Sequence, residues 1–221
     1  MSFLFSNAQE ESRMTVSRRR LLAFTVPLAL AARGAAAQAA GSAPDTVSQF
    51  YTVLLQIMKE GRGTPFQQRY QTLAPAVDQG FDLAGILRVS VGSYWASLPA
   101  AQQQTLFSVF RTYTVANYVS NFHSYKGRVI SVSPNIRPVG AEQVVSTTIT
   151  KPSGDQLRID YVLRQETVGW KIVDVLLDGT ISRVAVQRSD FASLVSSGDA
   201  SRLIASLRSK VSNLSDGALS A

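Results

Sequence analysis

The spacing of apolar residues changes period once, at Gly127, and that switch limits the chain to folds that set a helical half against a sheet. Before it, residues 46–59 carry Val47, Phe50, Tyr51, Leu54 and Met58 at helical spacing. Asp45 is the expected N-cap after Pro44, and Gly61-Arg62-Gly63 is the stop. Thr64 is expected to cap a second helix with Pro65 at its first position, running through Phe66, Tyr70 and Leu73, and Asp82 a third over residues 83–91. Pro99 opens a long fourth helix, to about Phe122. Its apolar residues predict cover on two sides: Leu106, Phe110 and Tyr113 on one, Val115, Tyr118, Val119 and Phe122 nearly opposite.

Beyond Gly127, alternation predicts four antiparallel strands at 129–133, 144–150, 156–165 and 170–177, separated by Pro134-Asn135, Pro152-Ser153-Gly154-Asp155 and Val168-Gly169. In the third, Leu157, Ile159, Tyr161 and Leu163 share one face and Arg158, Asp160 and Arg164 the other, so one face should meet helices and the other water. Helices at 190–197 and 199–211, broken at Gly198, close the chain. The layout is α+β: a curved antiparallel sheet of about four strands covered on one face by helices.

The first 37 residues stand apart. Arg18, Arg19 and Arg20 precede an apolar run from Leu21 to Ala32, too short to span a bilayer, and small residues Ala35 and Ala37 predict cleavage before Gln38. Residues 1–37 therefore read as an export signal, with a pattern similar to twin-arginine leaders. Glu10 and Glu11 sit badly in such a leader, which favours Met14 as the start. Residues 38–221 remain as a single domain. Removing five of the 22 basic and two of the 15 acidic residues leaves +4, ordinary solubility charge with no basic run of the nucleic-acid-binding kind.

Chemistry is sparse. With no cysteine and one histidine, the chain has no thiolate site, no cysteine nucleophile and no histidine cluster for a metal. Asp174 and Asp178 on one strand would stand ~13 Å apart, wider than the carboxylate pairs of glycosidases. Asp78 and Asp82 read as helix-end residues, and His123 has no acid partner nearby in sequence. No G-x-S-x-G, G-x-G-x-x-G or phosphate-loop string occurs. Binding is thus favoured over catalysis, and no catalytic residue, metal ligand or cofactor is assigned.

Phe81-Asp82, Gly92-Ser93-Tyr94-Trp95, Gln102-Gln103-Gln104, Phe107 and Tyr125-Lys126-Gly127 follow in an order that resembles the MlaC-like, or toluene-tolerance, family of periplasmic lipid-binding proteins. Gly169-Trp170-Lys171, Asp174-Val175, Asp178-Gly179 and Arg188-Ser189-Asp190-Phe191 resemble that family's later elements. The form Asp178-Gly179-Thr180-Ile181-Ser182 looks like the branch found with hopanoid-biosynthesis genes. The resemblance covers residues 45–211. It implies a periplasmic carrier that takes phospholipid, or a hopanoid-related lipid, into an apolar cavity between helices and sheet. It also implies exchange with an outer-membrane lipoprotein complex and an inner-membrane ABC transporter complex.

On that reading the expected lipid-binding residues are Ile159, Tyr161 and Leu163 from the inward strand face, Phe107, Phe110, Tyr113 and Tyr118 from the long helix, and Trp95 and Trp170 at the edges. Arg111 and Arg188 are the head-group candidates. Each apolar position is equally a core position, each arginine equally a surface or ion-pair residue. A small enzyme of cone-shaped α+β fold and a structural adaptor with a filled interior stand as alternatives.

Overall fold

The structure, a computed structural model, describes residues 41–221. The export signal, the Met14 start and the cleavage point lie outside the described residues. Helix α1 spans Ala43–Glu60, and its N-cap is Ser42 rather than Asp45. Asp45 is instead the third helical residue of a capping box: Ser42 Oγ accepts from the Asp45 amide, and the Asp45 carboxylate accepts from the Ser42 amide at 2.8 Å. Hydrogen bonding to Ser42 holds that carboxyl below its ordinary range.

After a 3-10 turn at Gly61–Gly63, α2 runs over Phe66–Gly80 with Pro65 as its capping position. Helix α3, Leu83–Val91, is capped as expected by Asp82, which accepts from the Gly85 amide at 2.8 Å. A second 3-10 turn, Gly92–Ser97, leads through Pro99 into α4, Ala100–Asn121. Helix α4 packs on α2 and on α6 (Ser201–Leu214), the last helix.

The sheet has five antiparallel strands in sequential order: β1 Val129–Val139, β2 Glu142–Thr150, β3 Gln156–Glu166, β4 Gly169–Leu177 and the two-residue β5 Ile181–Ser182. Pro134-Asn135 does not end the first strand. It forms a bulge between Val132 and Ile136, and pairing with β2 resumes to Val139 opposite Glu142. An edge strand tolerates a residue without an amide hydrogen, so proline breaks the register here and not the strand. The turn after β4 is tight. Asp178 and Gly179 have φ of +49° and +72°, the primed geometry that Asp-Gly favours, and Thr180 donates back to the Leu177 carbonyl.

Two contacts tie helices to the β4 edge. Phe81 forms a parallel bridge with Ile172, and the Asp82 amide donates to the Ile172 carbonyl at 3.0 Å. Lys171 Nζ donates to the carbonyls of Gln79 and Asp78 at 2.6 and 3.3 Å, placing a cation on the C-terminus of α2. Helix α5 spans Arg183–Ala192, seven residues earlier than expected, because Ser182 caps it: Ser182 Oγ accepts from the Ala185 amide at 2.9 Å. The two final helices are separated by residues 193–200, with Gly198 at φ +75°.

The core lies between the helices and one sheet face, where Val145, Ile149, Ile159, Tyr161, Leu163 and Ile172 are buried. The opposite face is not uniformly wet. Asp160, expected in water, is fully buried, because the Arg158 guanidinium covers it with bonds of 2.9 and 2.7 Å. Gly179 lies directly against Arg158: a Cβ there would stand 3.0 Å from Arg158 Nε.

Candidate lipid-binding cavity

Between α4 and the sheet lies a cavity of about 400 Å³, within the range usual for small-molecule sites. Helix α4 supplies one wall through Phe110, Tyr113, Thr114, Asn117, Tyr118, Asn121 and Phe122. These positions follow the three- and four-residue steps of one helix face. Phe110 and Tyr113 therefore do not oppose Tyr118 and Phe122; all four belong to one broad stripe, with Val109, Val115, Ala116 and Val119 buried elsewhere around the helix.

The facing wall comes from the sheet. Ile159 and Tyr161 point in from β3, and Val175 and Leu177 from β4. The β4 pair depends on a bulge. Val162 pairs with Asp174 but Leu163 with Ile172, so Val173 is an extra residue that reverses the strand's alternation. Ile172 faces inward before it, and Val175 opposite Tyr161 and Leu177 opposite Ile159 face inward after it. Phe81, Leu83 and Ile86 close one end, and Arg183, Val184 and Gln187 of α5 another side.

The inner wall is apolar and tightly held. Phe110, Ile159, Tyr161 and Phe81 are each at most 5% exposed, and Phe50, Phe81 and Tyr118 meet edge to face or tilted at 5.1–5.8 Å between ring centres. Behind Tyr161 runs a buried hydroxyl chain. Tyr161 donates to Tyr51 Oη at 2.9 Å, Tyr51 to Thr147 Oγ1 at 3.0 Å, and Thr147 to the Ile159 carbonyl at 2.7 Å. Every hydrogen in it is used. Burial pushes the phenol pKa values of Tyr51, Tyr118 and Tyr161 above their ordinary range, so these hydroxyls keep their protons well into alkali.

Exposure rises towards the lip. Leu157 is 40% exposed and Asn121 is exposed, which marks where the cavity reaches the surface. Asp174 also belongs to the lining, but its carboxylate is engaged. Oδ1 accepts from the amides of Val175 and Val184 at 2.7 and 3.1 Å, and Oδ2 from Ser182 Oγ at 2.5 Å. It seats the start of α5 against β4 and is poorly placed for acid–base work. Among the described residues no group of three or more His, Asp or Glu is arranged to hold a metal ion.

Five of the expected lipid-binding residues thus stand on the cavity wall: Phe110, Tyr113, Tyr118, Ile159 and Tyr161. Four stand elsewhere. Leu163 is fully buried in the core, and Phe107 packs against that core one turn before Phe110. Trp95 sits in the 3-10 turn before α4, where its carbonyl accepts from Gln103. Trp170 lines a separate groove with Gly41, Val53 and Val168. The head-group candidates lie outside the cavity too. Arg111 grips Asp78 of α2 with two bonds of 2.7 and 2.5 Å, and Arg188 is exposed, its guanidinium packed over Gly92.

The model of the MlaC protein family matches residues 48–209, which takes in every wall of this cavity. The chain belongs to the MlaC family. Among solved structures, a phospholipid-binding protein from Ralstonia solanacearum, determined in complex with a phospholipid, superposes with a TM-score of 0.68. The two share 20% identity over 79% of this chain and 99% of that one, a likeness of fold. Among curated proteins none matches the chain. Among the described residues of this MlaC chain no helix is long and apolar enough to cross a membrane.

Proposed function

We propose that the protein is a periplasmic lipid carrier that holds acyl chains in the cavity between α4 and the sheet and passes them between membrane-bound partners. The apolar wall on both sides of a surface-connected cavity carries this reading. Membership of the MlaC family and the fold shared with a phospholipid-binding protein support it. The partners in this proposal are an inner-membrane ABC transporter complex and an outer-membrane lipoprotein complex, with phospholipid as the cargo and a hopanoid-related lipid as the second candidate.

The energetics suit a carrier. Withdrawing a ~16-carbon chain from water is worth about 13 kcal/mol before ordering costs, so loss into water is slow. Against a bilayer the apolar contributions nearly cancel, and differential contacts in docked states set the direction of transfer. Nothing in that cycle requires a bond to be made or broken. The cavity's one carboxylate is fully committed to α5, which weighs against the alternative of a small enzyme.

The test is native mass spectrometry of protein purified without detergent, combined with uptake from phospholipid vesicles. Lipid should co-purify at up to one molecule per chain. Leu177→Glu, which sets a carboxylate into the wall without touching the hydroxyl chain, should abolish uptake while the protein keeps its circular dichroism spectrum. An empty, folded wild-type protein that takes up no lipid defeats the proposal, and mass analysis of any cargo separates phospholipid from hopanoid.

A further inference from the structure

The cavity lining carries one cation, and it is neither Arg111 nor Arg188. Arg183 is the first residue of α5, partly buried and part of the lining. A cation at a helix N-terminus works against the helix dipole, which favours negative charge there. Among the described residues its guanidinium has neither a hydrogen bond nor a carboxylate within ion-pair distance, whereas Arg111, Arg158 and Arg164 are each paired. The adjacent carboxylate, Asp174, spends its oxygens on two amides and the Ser182 hydroxyl.

Its charge points towards the ring stripe of α4. Burial raises the phenol pKa values of Tyr113 and Tyr118, and in both the Arg183 charge acts in the opposite direction. Two further lining residues carry amide donors without a protein acceptor, Asn117 on α4 and Gln187 one turn along α5. The Asn117 amide nitrogen makes no such bond, and Gln187 uses only its carbonyl oxygen, which accepts from Ser90 at 3.3 Å. A planar, charged fork that shares a cavity with free amide donors matches a compact oxyanion.

We propose that Arg183 receives the acidic group of the bound lipid, phosphodiester or carboxylate, so that this cavity selects anionic amphiphiles over neutral ones with the same tails. The proposal rests on the cavity holding lipid tails, and it adds a chemical criterion that the apolar wall cannot supply.

Delipidated protein is titrated in competition against a fluorescent diacyl probe with two matched pairs, phosphatidylglycerol against diacylglycerol and oleate against oleyl alcohol. Wild-type protein should prefer the anionic member. Arg183→Gln should cut that preference about tenfold in at least one pair, with Arg183→Lys intermediate because it keeps the charge and loses the fork. Arg208→Gln, which removes an exposed cation from α6, should leave the ratios unchanged. A response confined to the first pair assigns a phosphodiester, and one confined to the second a carboxylate. Equal ratios for wild type and Arg183→Gln in both pairs overturn the inference while leaving lipid binding intact; failure of wild type to bind any of the four overturns both.

Discussion

Thr147 looks unremarkable in sequence, one polar residue among the apolar positions of β2, yet its hydroxyl terminates the chain that fixes Tyr51 and Tyr161. The order of donors makes the chain directional. Tyr51→Phe leaves the Tyr161 hydrogen without an acceptor and should cost about 2 kcal/mol. Tyr161→Phe leaves only a lone pair unused and should cost about 1 kcal/mol. The double variant should be milder than the sum, a coupling that urea unfolding of the four proteins measures. Alkali addresses the same residues. Burial raises both tyrosines above the unfolded value of about 10, so the folded state keeps protons that the unfolded state releases. This contribution is complete below about pH 10 and falls away as pH rises beyond it. Melting temperature should therefore drop less steeply with alkali in Tyr161→Phe than in wild type, and equal slopes would refute the assignment.

At the scale of elements, the seat of α5 is the point of leverage on the cavity. Asp174→Ala removes the acceptor shared by the Val184 amide and the Ser182 hydroxyl, and should cost about 1–2 kcal/mol, the range of a lost helix cap. Amide exchange should accelerate at Val184 and Ala185 before it does in β3. The same region shows where sequence reading stops. Helices α1 to α4 and the inward face of β3 were legible because apolar period is a local signal, whereas of the caps expected at Asp45, Thr64 and Asp82 only Asp82 holds its place. Val175 and Leu177 were not, since strict alternation from Ile172 would turn them outward and only the bulge at Val173 turns them in. Such a bulge has no marker in the residues themselves. The start of α5 was missed for a related reason: its cap is completed by Asp174, eight residues upstream on another element. Arg183 carries no local marker either, and the neighbours that occupy Arg111 and Arg188, Asp78 and Gly92, are supplied only by the fold.

For the molecule as a whole, the cavity follows from a mismatch between stripe and sheet. Helix α4 presents rings over three turns, while the strands opposite it present alternate side chains from two strands only, and the unfilled remainder is the cavity. The α+β layout could be anticipated from the period switch at Gly127, but the vacancy could not, because the residues around a void and those of a filled core have the same composition. The edge strand β1 bears on what happens when that void is empty. Pro134 and Pro138 remove two amide hydrogens from its length, and the bulge between Val132 and Ile136 interrupts its register. Two such molecules meeting flank to flank find no continuous row of donors to zip along. On the carrier function proposed above, the unloaded molecule, with its apolar lining uncovered, is thereby kept from pairing edge to edge with its neighbours.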